Sequence, residues 1–323
     1  MKTAASFALP IALLLVAGCS SPASHQTIPS ALPGAPSAGI ANAPARTLLY
    51  AGGPGDNAVD VYPGRVNDPK PLREIVTGLS APTGIAVDSA GNAYVCNNSG
   101  FGAGPRGKGS YWTVTVYKRG QKTPFESYTT GVWNPVDVAI AADGTVYIAN
   151  YSSAVTVYPP GSLQPSLTLT APSGQAPIGI AFDGAGNIFV SYVYPSGGGS
   201  IYQYAPGATN GSNLGITFSG SPHGLAFDHS GNLAVAVSKA PSPGSSVEVF
   251  APGGTQPKRT ITGIFQPFML AFSQDGRKLF VADYGNGNGT GGGVVKFAYP
   301  SGRFITTDAQ GAAAFAYGIA IDP

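Results

Sequence analysis

From residue 46 onward, apolar and polar positions alternate in short runs broken by Gly, Pro, Asn and Asp. That period of two predicts β-strands, and no stretch there carries the spacing of an amphipathic helix. One unit recurs: PTGIAVDSAGNAYVCN (82–97), PVDVAIAADGTVYIAN (135–150), PIGIAFDGAGNIFVSY (177–192), SPHGLAFDHSGN (221–232), PFMLAFSQDGRKLFVAD (267–283), and AYGIAIDP from Ala316. The starts near 82, 135, 177, 222, 267 and 316 lie 42 to 53 residues apart, a period that belongs to repeat architectures.

Each copy continues into a strand of the VxVY type: VDVYPG, VTVYKRG, VTVYPPG, IYQYAPG, VEVFAPG and VVKFAYPSG. A fourth strand follows: PLREIVT, PFESYTT, PSLTLTA, NLGITFS, PKRTITG and GRFITTD. Four strands repeated six times predict an all-β, six-bladed β-propeller over 46–323. The chain ends after one strand of the sixth copy, and TLLYAGG, AVDVYPG and PLREIVT near residue 46 supply the missing three. The ring is therefore expected to close with strands from both ends in one blade, leaving no open edge. Ala86, Ala139, Ala181, Ala226, Ala271 and Ala320 share one position, where small side chains suit a narrow axis.

The P-x-G-[IL]-A-[VF]-D unit, the Gly-Asn turn and the V-x-V-Y strand resemble those of NHL-repeat and gluconolactonase-like six-bladed propellers, across 46–323. The resemblance implies architecture more than activity, because this fold hosts lactonases, lyases and binding proteins. In calcium-dependent lactonases of that kind, Asn and Asp at the x position hold the metal. Here those positions are Thr83, Val136, Ile178, His223, Phe268 and Tyr317, a poor set for a cation that takes six to eight oxygens. No cofactor is expected, calcium being the one the resemblance would bring.

The strand order puts the D-x-x-G-N turns on one face, here called lower. Every long segment falls on the other: 53–58, 98–110, 194–200, 239–245 and 284–293. Binding residues gather on loops carried by a rigid scaffold, so the upper face is the candidate, with Phe101, Trp133, Tyr192, Phe268, Tyr284 and Tyr317 as its aromatics. His223 and His229 lie six residues apart along a strand, about 20 Å, so they belong to opposite faces and share no metal. Asn97, Asn150, Tyr192 and Asp283 end the second strands, where Asn and Asp also satisfy backbone groups. Asp137 replaces the usual Gly, a carboxylate able to bind a cation or to accept from the Trp133–Asn134 backbone. The candidate ligand-binding set is thus Thr83, Asn97, Trp133, Asp137, Asn150, Tyr192, His223, Phe268, Asp283 and Tyr317.

Composition narrows the function. Charged residues are 10% of the chain, Gly is 46 of 323, and the net charge is +2 with no basic stripe, which argues against nucleic acid. GAGPRG (102–107) and GNGTGG (287–292) match G-x-G-x-x-G but precede strands, where phosphate loops need a helix N-terminus. No G-x-S-x-G, H-E-x-x-H or C-x-x-C occurs. Residues 1–18 read as a secretory signal ending in Val16-Ala17-Gly18 before Cys19, which resembles the bacterial lipobox and implies lipidation of Cys19. Residues 19–45, rich in Pro, Ala and Ser, read as a tether. With Cys96 the only other Cys, no disulfide is expected in the mature chain.

The expectation is a monomeric, non-catalytic binding propeller, lipid-anchored to the cell envelope and to the outer membrane where one exists. Its partner would be a glycan, peptide or envelope protein. The alternatives are a divergent metal-dependent lactonase or hydrolase around Asp137, His223 and Asp283, and a structural envelope component.

Overall fold

The computed structural model describes residues 47–55, 57–64, 67, 70–99, 112–151, 153–239, 244–285, 292–308 and 316–322. The signal and tether, Cys19, Phe101 and most of loop 98–110 lie outside them. Among the described residues every regular element is a strand.

The first three strands are β1 (Leu48–Gly53), β2 (Ala58–Pro63) and β3 (Arg73–Ile75). Blade 1 follows as β4 (Pro82–Val87), β5 (Ala93–Asn98), β6 (Trp112–Tyr117) and β7 (Glu126–Tyr128). Blade 2 is β8 (Pro135–Ile140), β9 (Val146–Asn150), β10 (Val155–Tyr158) and β11 (Leu167–Leu169). Blade 3 is β12 (Ala176–Phe182), β13 (Ile188–Val193), β14 (Gly199–Tyr204) and β15 (Ser212–Asn213). Blade 4 comprises β16 (Ser221–Phe227), β17 (Leu233–Ser238), β18 (Ser246–Phe250) and β19 (Pro257–Ile261). Blade 5 comprises β20 (Pro267–Phe272), β21 (Lys278–Asp283), β22 (Gly293–Ala298) and β23 (Arg303–Asp308). The last strand, β24 (Gly318–Ile321), pairs with β1 and completes blade 6 in the order β24-β1-β2-β3.

The inner strands β4, β8, β12, β16, β20 and β24 each contact the next, and β24 contacts β4. Six antiparallel sheets thus form a closed ring, as the repeat predicts. One expected strand is cut short: of NLGITFS (213–219) only Asn213 joins β15, because Gly215 turns the chain with a φ of 70°.

The V-x-V-Y tyrosines tie neighbouring blades together. The hydroxyls of Tyr117, Tyr158 and Tyr204 donate to the carbonyls of Thr77, Thr130 and Thr170, at 2.7–2.8 Å. Each carbonyl belongs to the connector leaving the previous blade, so a buried phenol finds its partner where the blades meet. The D-x-x-G-N turns fold by one rule. In three of them Asp88, Asp183 and Asp228 accept from the backbone and side chain of the Asn four residues on.

The axis is narrow, and that accounts for the Gly of P-x-G. A Cβ on Gly179 would lie 2.6 Å from the His223 carbonyl oxygen, and one on Gly224 would lie 2.5 Å from that of Phe268. Inner strands approach closely there, and only Gly admits the neighbour's backbone.

The seam between blades 5 and 6 departs from the others. At the register of Val61, Val116, Val157 and Val249 stands Lys296; at that of Ile75, Tyr128, Leu169 and Ile261 stands Asp308. Both are buried, and they form an ion pair. Asp60 and Tyr62 of blade 6, also buried, face this seam, with the Tyr62 hydroxyl donating to Asp60 at 3.0 Å. Burial first, then the two carboxylates Asp60 and Asp308, push the Tyr62 hydroxyl far above its usual pKa.

Candidate functional site

Five inner strands carry a proline as their first or second residue, which has no N–H to give the ladder. The register slips just after it: Pro82/Ile85, Pro135/Asp137, Pro177/Gly179, Pro222/Leu225 and Pro267/Leu270. Such bulges re-aim a side chain, and here they bring the x residues to the upper mouth of the axis. Thr83, Val136, Ile178, Phe268 and Tyr317 are all buried there. The axis is plugged at this level.

On one side the plug is a stack of rings. His223 lies 4.7 Å from Phe268 with planes 7° apart, Phe268 lies 3.9 Å from Tyr317, and Tyr284 meets Phe268 edge-on at 5.9 Å. His223 Nδ1 is 3.1 Å from the Pro267 carbonyl oxygen. A carbonyl only accepts, so Nδ1 carries the proton and the neutral ring keeps Nε2 as an acceptor. Burial pushes the imidazole down to about 4, only partly offset by the Pro267 carbonyl.

Above the stack lies a cavity of ≈ 250 Å³. His223, Phe268 and Tyr317 line it together with Tyr151, Tyr194, Gln266, Ser221 and Ser238. Tyr194 is exposed, and its hydroxyl accepts from Gln175 Nε2 at 3.2 Å. Sequence reasoning passed over Tyr151, Gln266 and Ser238. Their signal was positional: Tyr151 follows the last residue of a second strand, and Gln266 precedes the proline of the repeat.

The other candidates go elsewhere. Asn97, Asn150 and Asp283 hold one register position and perform one task. Their side-chain oxygens accept the N–H of Ser80, Trp133 and Phe265, each two residues before the inner-strand proline of the same blade. Asp283 also accepts from Gln266 and Gly285. They fasten the connectors. Tyr192 is fully buried, with its hydroxyl 2.7 Å from that of Tyr204. Thr83 donates to the Pro135 carbonyl at 3.0 Å. Trp133 is 53% exposed and lies 4.2 Å from Trp112, outside the cavity lining.

Asp137 does not reach the Trp133–Asn134 backbone; it accepts from Ile180 N at 2.9 Å and from Val138 N, and is 7% exposed. Burial pushes its carboxyl up to about 7 against those two donors. Asp137, His223 and Asp283 thus present no shared set of free donors. Among the described residues no group of three or more His, Cys, Asp or Glu is arranged to hold a metal. The residues at the axis do not fit the calcium site that the resemblance implies.

These two shifts have opposite signs in stability. A carboxyl whose folded pKa is raised favours the folded state while protonated, so Asp137 costs stability as pH rises from about 4 to 7. An imidazole whose folded pKa is lowered costs stability as pH falls from about 6.5 to 4. Urea unfolding from pH 4 to 8 should therefore show Asp137→Asn gaining on the wild type by about 2–4 kcal/mol between pH 4 and 7, then levelling. His223→Gln should gain in the opposite direction, by about 1–3 kcal/mol as pH falls from 6.5 to 4. Flat difference curves for both would show that neither group is desolvated.

No family model and no curated protein matches this sequence. Solved structures do. A chain of the nidogen/laminin complex aligns with a TM-score of 0.67 at 18% identity, covering 86% of this chain and 98% of that one. A protein of unknown function from Bacteroides caccae aligns at 0.63 and 15%, covering 86% and 99%. Kuenenia stuttgartiensis hydrazine synthase aligns at 0.54 and 17%, covering 75% and 70%. At these identities the likeness is one of fold, and the chain is a six-bladed β-propeller.

Proposed function

We propose that this propeller is a binding module whose upper mouth takes a short glycan. The observation that carries this reading is the ≈ 250 Å³ cavity over the plugged axis, which joins ring faces to amide and hydroxyl groups. Sugars present an apolar ring face and a girdle of hydroxyls. The exposed Tyr194 ring offers a face for the first, with the His223–Phe268–Tyr317 stack as an apolar floor, while Gln266, Ser221, Ser238 and His223 Nε2 offer partners for the second. The axis below is filled, so the ligand would rest on the mouth without threading the ring. The structurally similar chain comes from the nidogen/laminin complex, which is consistent with a propeller used for recognition. The signal-like residues 1–18 and Cys19 support an exported protein held at the cell envelope by lipid.

A glycan array followed by calorimetry tests the reading. Binding in the micromolar to millimolar range is expected, and Tyr194→Ala should weaken it about tenfold or more, since an exposed ring can be removed without unfolding the core. Selective capture of peptides with no glycan bound would move the ligand to the other class. Glycan binding indifferent to both Tyr194→Ala and Gln266→Ala would remove the site from this mouth.

A further inference from the structure

The opposite face carries a second concavity. Between the lower ends of blades 4 and 5 lies a cavity of ≈ 470 Å³, within the range of small-ligand sites. Its walls come from two turns and two strand ends. His229 and Asn232 belong to the blade 4 turn, Lys258 and Arg259 begin β19, and Tyr299 lies on the blade 5 turn.

In a chain where only 10% of residues are charged, two cations and a histidine on one cleft are a concentration. Neither ion pair found among the described residues involves Lys258 or Arg259. The one carboxylate in the lining, Asp228, is already spent. Its oxygens accept from Ser230 N, Asn232 N, Asn232 Nδ2 and the Tyr299 hydroxyl, at 2.6–2.8 Å. The Arg259 guanidinium lies over the Tyr299 ring at 5.8 Å, and its Nη1 has no acceptor among the described residues. Among the described residues Lys258 Nζ reaches only the neutral Asn232 Oδ1, at 2.8 Å. Arg259 is half-buried and Lys258 exposed at the edge of the cleft, and the Asp228 carboxylate beside them accepts from other groups.

We infer that this lower cleft binds the oxyanion of a phosphorylated small molecule or lipid headgroup, with Lys258 and Arg259 as its principal donors and His229 at the rim. Arg supplies a planar fork suited to phosphate, held in place by the Tyr299 face, and Lys supplies a point charge beside it. The site is independent of the upper-face glycan reading. Two sources could present the same group. A free phosphorylated compound fits the volume of the cleft. A lipid headgroup would present the same group from a membrane surface.

The test uses the full chain with inorganic phosphate, sn-glycerol 3-phosphate, and vesicles of phosphatidylglycerol against phosphatidylcholine. Calorimetry at low salt should show the two soluble phosphates binding in the millimolar range, weakened at least fivefold in Lys258→Gln/Arg259→Gln and further by salt. His229→Gln, on an exposed turn, is the variant least able to disturb folding, and it should weaken binding about twofold. Flotation with phosphatidylglycerol but not phosphatidylcholine vesicles, lost in the double variant, would assign the headgroup source. Soluble binding without selective flotation would assign the free compound. No phosphate binding, or binding unchanged by the double variant in a protein whose circular dichroism matches the wild type, would overturn the inference.

Discussion

Lys296→Met should destabilise the protein by about 3–5 kcal/mol, because it leaves the Asp308 carboxylate buried opposite Asp60 with its counter-charge gone. The cost comes from stranding a charge more than from losing the pair's attraction. The pair itself stands where four of the other blades carry Val beside an apolar residue, blade 3 having Gln203 at the Lys296 position. Adding Asp308→Leu to Lys296→Met should therefore restore most of the loss, since apolar replacement of a buried pair is often neutral or better. Urea unfolding of the two single variants and the double at pH 7 makes the comparison. A double variant as unstable as Lys296→Met would mean that Asp60 and Tyr62 depend on Lys296 for their own burial.

The second large effect is expected at the axis. Gly224→Ala puts a methyl 2.5 Å from the Phe268 carbonyl oxygen and 2.7 Å from Met269 Cα. Both obstacles are backbone of the neighbouring inner strand, so no rotamer change relieves them. Overpacking of this kind costs about 2–3 kcal/mol or more, and it should also tilt the ring stack, since Phe268 lies between His223 and Tyr317. Gly184→Ala is the matched control: nothing lies within 4 Å of its Cβ position. It should be neutral or slightly stabilising by restricting the unfolded chain. Equal melting temperatures for the two variants would refute the close approach of the inner strands.

The architecture was legible because the repeat states it at several levels at once. The shared Ala, the P-x-G glycines and the V-x-V-Y tyrosines each answer one packing demand of a blade, and they recur at matching positions. What single positions do was less legible. Asn97, Asn150 and Asp283 read equally as ligands or as strand-end groups, until the register sets each beside a connector N–H. Lys296 carried a readable signal, since alternation puts it at the position where four other blades have valine and one has Gln203. Its partner Asp308 lies on another strand, and no local pattern pairs them. NLGITFS has the composition of a strand, yet Gly215 overrides it. The upper cavity draws on residues from blades 2 to 6, and such convergence is a property of the ring that no one repeat contains.

Closure of blade 6 by β24 changes how the molecule can come apart. In a linear row of repeats the end units have one neighbour each, and melting starts there. Here Asp322 N donates to Leu48 O, and β24 pairs with β1, so every blade has two neighbours and the row has no ends. Loss of any one blade must break two seams at once. A strand of four residues thereby makes six similar modules cooperative, and the boundary at which unfolding would begin is removed.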